Sequence, residues 1–489
     1  MKKVYGQLKN RIRKNRERLS APEYCAPQIF LEGGDWPGDW QGRTILALAS
    51  LYRAEDGERE KQNILRQLDD ILDSLDEHTN EDGYFGELFD ENSVNEQQLS
   101  GNSWFLRGLC AVYEIVGREE VLARLNRISE RYLTKLAPSY LRYPTVKREE
   151  GDVGGHLQKI VTEGWRLSSD VGCAFILLDG ITHTYEITGN KALLPVIRAM
   201  ISKFSQIDYV RYNCQTHATL SGSRGVLRFY RLTGEQELLD LAKRNFELYF
   251  NYGMTLNYAN FNWFGKPYWT ETCAVVDSLI FAMQLFEITG ERRYIEFANR
   301  CYLNALRVSQ RPNGGAGCET CLNEKNDCLH SYIYEAFFCC TMRIAECFYE
   351  LCEYGIIKRN GTSYVLLPFE MESEELSLSV TEHNEGRILD IKPHHRISHL
   401  CIYVPSHCKV RCSAGELKNG MLEFENIEEE IHIEERFTAF SERRQNRTVH
   451  MLGDYLLLKR DRSDQNCAFV ADTFTVPDQA SVEALKQYI

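Results

Sequence analysis

Apolar residues recur three and four positions apart over long stretches of the first 350 residues, as in Ala218 through Leu227 and in Leu279, Ala282, Met283 and Phe286. That spacing lays an apolar stripe along one face of a helix. The stretches close on a phrase that repeats: Tyr113-Glu114-Ile115-Val116-Gly117, Tyr185-Glu186-Ile187-Thr188-Gly189, Tyr230-Arg231-Leu232-Thr233-Gly234 and Phe286-Glu287-Ile288-Thr289-Gly290. Leu51-Tyr52-Arg53 ahead of Gly57, and Tyr349-Glu350 ahead of Gly355, are looser copies. Glycine after such a run stops a helix, because it accepts the left-handed backbone conformation without a Cβ clash. A second amphipathic segment then follows, for example Glu291 to Val308. The pattern predicts six helical hairpins in succession. One hairpin cannot bury its apolar face alone, and six followed directly by a different texture favour a closed all-α toroid over an open solenoid with capping repeats.

After Gly355 the texture changes. Ser363–Leu367, Leu376–Val380, Leu400–Val404, Glu429–Ile433 and Asp454–Leu458 are short strand-like runs separated by polar, Gly or Pro turns. They predict an antiparallel β-sandwich. The expected division is a barrel domain over residues 1–354 and a sandwich domain over 355–489, with a short helical tail from Asp478.

Composition narrows the class. A chain of 489 residues is long enough for two cores. Its formal net charge of −13 repels phosphate backbones and anionic lipid, so neither nucleic acid nor a membrane surface is an expected partner. The polar start, Met1-Lys2-Lys3-Val4-Tyr5-Gly6, lacks the apolar stretch of a secretory signal, and no run is read as reaching the length that crosses a bilayer. The expected location is cytoplasmic, with a small carbohydrate as partner and homodimerisation left open. In that compartment 17 cysteines read as buried thiols or metal ligands rather than disulfides. Cys110, Cys173, Cys301 and Cys347 sit among helical apolar residues and suit the core.

Two cysteine motifs differ from these. Glu271-Thr272-Cys273 opens the inner helix of the fifth hairpin, and Cys339-Cys340 opens that of the sixth. In a ring of hairpins, inner helices begin on one rim, so a carboxylate and three thiolates from neighbouring helix starts suit a tetrahedral zinc site. Helix dipoles would favour the thiolates. The competing reading is a pair of structural cysteines. Cys318-Glu319-Thr320-Cys321 with Cys328 and His330 reads either as a separate zinc knot or as a thiol-rich loop. Gly33-Gly34-Asp35-Trp36-Pro37-Gly38-Asp39-Trp40 offers Trp36 and Trp40 to stack on a sugar ring and Asp39 to bind hydroxyls, or else packs under the barrel.

With these motifs and the strands behind them, the chain resembles glycoside hydrolase family 127, from Trp40-Gln41-Gly42-Arg43 to Tyr455-Leu456-Leu457. The resemblance implies a retaining β-L-arabinofuranosidase-like enzyme on an (α/α)6 barrel, with zinc as cofactor. Carried over, Cys339 is the nucleophile and Glu271, Cys273, Cys339 and Cys340 are the zinc ligands. His217, in Thr216-His217-Ala218-Thr219, matches an active-site histidine that binds substrate. This sequence departs from the family elsewhere. The acid/base glutamate position is Thr255, two sugar-contacting histidines fall at Trp104 and Ala174, and the Pro-Pro-Asn after the cysteine pair is Thr341-Met342-Arg343. Glu247 is the nearest upstream carboxylate, and with Glu335 and His217 completes the candidates for a replacement proton donor. Two function classes follow: a zinc-thiolate glycoside hydrolase, or a non-catalytic carbohydrate-binding relative that keeps zinc as a staple.

Overall fold

A computed structural model describes the chain except for residues 1, 32–33, 149–156, 384, 462, 465 and 472–489. Gly33 and the expected helical tail from Asp478 lie outside the described residues. The main helices, in chain order, are α1 (Gly6–Leu19), α2 (Asp39–Ala54), α3 (Glu58–Asp73), α4 (Glu96–Val116), α5 (Glu119–Arg131) and α6 (Leu177–Thr188). They continue with α7 (Leu194–Phe204), α8 (Thr216–Thr233), α9 (Gln236–Tyr252), α10 (Thr272–Thr289), α11 (Arg292–Cys301) and α12 (Cys340–Gly355). Among the described residues, α2, α4, α6, α8, α10 and α12 each pack on the next, and α12 returns to α2. A closed ring of inner helices results.

The repeated phrase has a local cause. Gly117, Gly189, Gly234 and Gly290 cap α4, α6, α8 and α10 with φ between 62° and 75°, each closing its helix with a backbone hydrogen bond to the Tyr or Phe four residues before. The looser copies end differently. Gly57 has ordinary φ and precedes α3, and Gly355 is the last residue of α12. Among the described residues no helix follows α12, which runs directly into the strand Ile356–Arg359. The outer partner of the sixth inner helix is α1, from the other end of the chain. The expected sixth helix–turn–helix is therefore completed by the N-terminal segment. Close approach of α2 and α4 depends on Gly42, where a Cβ would lie 2.1 Å from the Phe105 nitrogen. That approach sets Arg43 beside Trp104.

One expectation is corrected here. Helix α10, at 18 residues with mean hydropathy 1.4, is long and apolar enough to cross a bilayer. It is instead a core helix, 83% buried inside the protein, and Asp277 sits fully buried in its second turn.

The strand-rich region holds a six-stranded sheet in the order Lys3–Val4, Met371–Glu372, Leu376–His383, Gly386–Pro393, Ile431–Phe437 and Cys408–Cys412. A five-stranded sheet runs Glu416–Lys418, Met421–Ile427, Ile397–Tyr403, Thr362–Val365 and Ile356–Arg359. Pairing is antiparallel with one exception to the expected pattern: Thr362–Val365 lies parallel to Ile397–Tyr403, because the intervening Leu376–His383 and Gly386–Pro393 belong to the other sheet. Several contacts bind this region to the helical part. Residues Lys3–Val4 add to the six-stranded sheet, and Arg300 of α11 donates to Asp454 at 3.0 Å.

Candidate metal centre

Three short strands prepare the site. Thr270–Glu271 pairs with Gly317–Glu319, which pairs with Tyr334–Glu335. The Glu271 backbone N–H donates to Asn260 Oδ1 at 3.1 Å and sets Glu271 as the cap residue of α10, with Cys273 in its first turn. Cys339 caps α12 and Cys340 is its first residue. The adjacent threonines hold both helix starts to one segment: Thr272 Oγ1 donates to the Gly317 carbonyl at 2.7 Å, and Thr341 Oγ1 accepts from the Ala316 N–H at 3.0 Å. The two motifs thus meet.

The ligand atoms of Glu271, Cys273, Cys339 and Cys340 all lie within 4.8 Å of one another, the one such group of His, Cys, Asp or Glu among the described residues. Sulfur–sulfur distances are 3.5 Å for Cys273–Cys340 and 3.6 Å for Cys339–Cys340. Tetrahedral zinc with Zn–S near 2.3 Å needs sulfurs about 3.8 Å apart, so the donor set fits a metal of that kind with little movement. Cys340 and Cys273 are buried, whereas Cys339 and Glu271 are half-buried.

The electrostatics separate the thiols. Hydrogen bonds with Cys273 and Cys340 pull the Cys339 thiol down, with help from Arg43. Burial pushes Cys340 well above its ordinary range and Cys273 to about 11. Burial, then the neighbouring Cys273, push the Glu271 carboxyl up. Arg43 bridges the cluster to the interior: Nη1 is 3.5 Å from Cys273 Sγ, Nε donates to Asp39 at 2.7 Å, and Nη2 is 3.5 Å from His217 Nε2.

Behind the thiols the inner helices converge on a buried charge network. Asp277 accepts from Arg224 at 2.7 Å, Arg343 at 2.5 Å and Ser221 at 2.6 Å, and its Oδ2 is 2.7 Å from His217 Nδ1. Glu346 accepts from Arg107 and Arg224 and pairs with Arg343, while Asp179 pairs with Arg107 and Arg228. Trp104 is fully buried, with the Arg43 guanidinium 4.2 Å and that of Arg343 4.4 Å from its ring centre, and with His217 stacked parallel at 5.6 Å.

The other candidates divide into near and far. His217 lies beside Arg43, its Nδ1 held by Asp277. Asp39 orients Arg43. Trp40 packs edge-on against Phe337 at 5.6 Å, and Trp36 is half-buried against the core. Glu247 is not brought to the site: it lies on the exposed side of outer helix α9 and pairs there with Arg293 of α11. Glu335 is held by Arg18 at 2.9 Å and Asn313 at 2.8 Å. Thr255 is buried in a turn, its hydroxyl bonded to Asn257 at 2.7 Å. Ala174 is buried in the 3-10 turn that leads into α6. Cys318, Cys321, Cys328 and His330 do not converge. Cys321 lies 3.5 Å from the Asn260 carbonyl and His330 lies 3.4 Å from Asp464. Sequence reasoning missed Arg43, Arg343 and Asp277, whose only signal is a charge inside an apolar helical stretch. It also missed Asp170, a buried carboxyl pushed up to about 6 by burial, which accepts from Trp263 Nε1 at 3.1 Å.

Comparison with known proteins agrees with this geometry. Residues 257–353, which include both cysteine motifs, match the family described as Beta-L-arabinofuranosidase, GH127 catalytic domain. The match shows the resemblance to glycoside hydrolase family 127. Among solved structures, the GH127 β-L-arabinofuranosidase of Geobacillus stearothermophilus T6 aligns with a TM-score of 0.64 at 14% identity, covering 94% of this chain and 86% of that one. A second GH127 β-arabinofuranosidase aligns with a TM-score of 0.64 at 12% identity, covering 92% of this chain and 80% of that one. At such identity these likenesses speak for the fold. No curated protein matches the sequence.

Proposed function

We propose that this chain is a retaining glycosidase of the family 127 type, which uses Cys339 as a metal-supported thiolate nucleophile on a furanoside such as a β-L-arabinofuranoside. The observation that carries the reading is the convergence of Glu271, Cys273, Cys339 and Cys340 at two neighbouring helix starts. The ring of helix pairs is then an (α/α)6 barrel over residues 1–354, followed by a β-sandwich over 355–489. The fitting metal is zinc, because three thiolates and a carboxylate at these spacings form a tetrahedral set. Bound zinc supplies positive charge that keeps the thiols deprotonated at neutral pH. The reading keeps a small carbohydrate as partner, a cytoplasmic location, and no nucleic acid or membrane.

The chain's own groups then divide the work. Cys340 and Cys273 are buried and hold position, whereas half-buried Cys339 is the thiol that presents sulfur to the anomeric carbon. Arg43 adds fixed positive charge next to Cys273 and is itself aimed by Asp39. His217, braced by Asp277, keeps Nε2 turned toward Arg43 and the sugar side. Trp104 and its flanking guanidiniums form a filled floor, which limits the depth available and suits a small five-membered ring. Displacement by Cys339 followed by attack of water at the same carbon inverts configuration twice and so retains it.

A second reading rests on Thr255. Its hydroxyl is committed to Asn257, Glu247 faces outward, and Trp104 fills a position expected to contact sugar. Those features favour a non-catalytic carbohydrate-binding relative with a structural metal. Both readings require the metal. Elemental analysis of purified reduced protein should find one zinc per chain, and Cys340→Ser should retain less than about a tenth of it. Metal-free protein that stays folded and does not take up zinc would contradict both.

A further inference from the structure

Immediately before Cys339 the chain runs Ile333-Tyr334-Glu335-Ala336-Phe337-Phe338, and three of its apolar side chains face solvent: Ile333 at 53%, Tyr334 at 49% and Phe338 at 41% exposure. Tyr334 and Phe338 continue through Phe337 to Trp40 as a chain of aromatic contacts. Tyr334 and Phe338 ring centres are 6.4 Å apart, Phe338 and Phe337 5.5 Å at a right angle, and Phe337 meets Trp40 at 5.6 Å. Strand register ties this surface to the reacting thiol. Glu271 is paired with Cys318, and Cys318 with Tyr334, so the three side chains stand in one row on one face of the sheet. Tyr334 is therefore about 10 Å from Glu271, two strand spacings away.

Two adjoining exposed aromatic rings beside a polar site offer a stacking surface for a flat apolar group. We infer that the Tyr334–Phe338 ledge is the leaving-group subsite and that it takes an aromatic aglycone, so that the substrates are aryl furanosides. The inference rests on the glycosidase reading above and names its substrate class. Chemistry points the same way. The resemblance implies that Thr255 falls where the family carries its proton donor, Glu247 faces outward, and Glu335 is held by Arg18 and Asn313. A phenolic aglycone needs no donor: the bond from Cys339 sulfur to the anomeric carbon forms as the carbon–oxygen bond breaks, and the phenolate departs with the electron pair. In the second half, water forms the new carbon–oxygen bond, Cys339 leaves as thiolate, and the water proton is taken up by solvent or by the departed phenolate. An alkoxide leaving group has no such route.

The test compares 4-nitrophenyl and methyl β-L-arabinofuranosides on the zinc-loaded full chain, for the wild type and for Tyr334→Ala, Phe338→Ala and the double variant. The wild type should prefer the aryl glycoside by at least about a hundredfold in kcat/KM. Each substitution should lower that ratio about 3- to 10-fold, since one aromatic stack contributes about 0.5–1.5 kcal/mol. Tyr334→Leu and Phe338→Leu, with circular dichroism matching the wild type, serve if the alanine variants fold poorly. An aryl-to-methyl ratio that the ledge variants leave unmoved overturns the inference while the glycosidase reading stands. So does rapid methyl-glycoside turnover that is lost in Asp170→Asn, which would assign a proton donor. Absence of turnover of both glycosides, with no sugar adduct on Cys339, overturns the glycosidase reading and the ledge with it.

Discussion

Asp277 joins four neighbours from two other inner helices, α8 and α12, and its carboxylate is fully enclosed. Burial alone would push the carboxyl up, but Arg343, His217 and Arg224 hold it well below the usual carboxylate range. Asp277→Asn leaves two buried guanidiniums short of a counter-charge, so it should destabilise the fold by about 3–5 kcal/mol. The urea midpoint reads this directly, and an unchanged midpoint would contradict the network. Because the folded-state pKa is depressed, the contribution is fully present above the unfolded value near 3.9 and is lost as pH falls toward the folded value. Wild-type stability should therefore decline below about pH 4, and the variant should decline less over that interval. None of this was legible in the sequence. Arg224 lies four residues from Arg228 on a helix whose spacing could equally present both to water, and only closure of the ring turns them inward. The cysteine motifs were legible, because a cysteine pair at a helix start keeps its chemistry whatever surrounds it.

At the level of elements, the repeated glycine phrase predicted hairpin turns because a left-handed helix stop is a local property of the chain. The partner of α12 was not predictable in that way. Helix α1 is rich in Lys, Arg and Asn, which reads as a solvated segment, yet Leu8, Ile12, Asn15 and Leu19 form its buried face. Asn15 Nδ2 donates at 3.0 Å to both the Gly314 and Thr341 carbonyls, so α1 braces the first turn of α12 beside Cys340. Asn15→Ala leaves those carbonyls without their donor, at a cost of about 1–3 kcal/mol. The same variant should bind zinc more weakly in a chelator competition, by about 3-fold or more. Stability loss with unaltered zinc affinity would show that α1 supports the barrel without shaping the site. The mixed pairing in the five-stranded sheet escaped prediction for a related reason: alternation in Thr362–Val365 identifies a strand but carries no information about the direction of its neighbour.

Across the whole molecule, six inner helices deliver charged side chains to one axis, and the ring brings the fifth and sixth helix starts together at its rim. The thiols gather there because the chain closes on itself, with α12 seated between α10 and α2. The central claim is that this closure makes Cys339 the nucleophile and leaves Cys340 a ligand, and mass mapping after reaction with a cyclophellitol-type furanose epoxide tests it most directly. Zinc-loaded protein should gain one sugar mass per chain, located on the peptide at Cys339, and Cys339→Ser should gain none. An adduct on Cys340, or labelling spread over several of the 17 cysteines, would contradict the account.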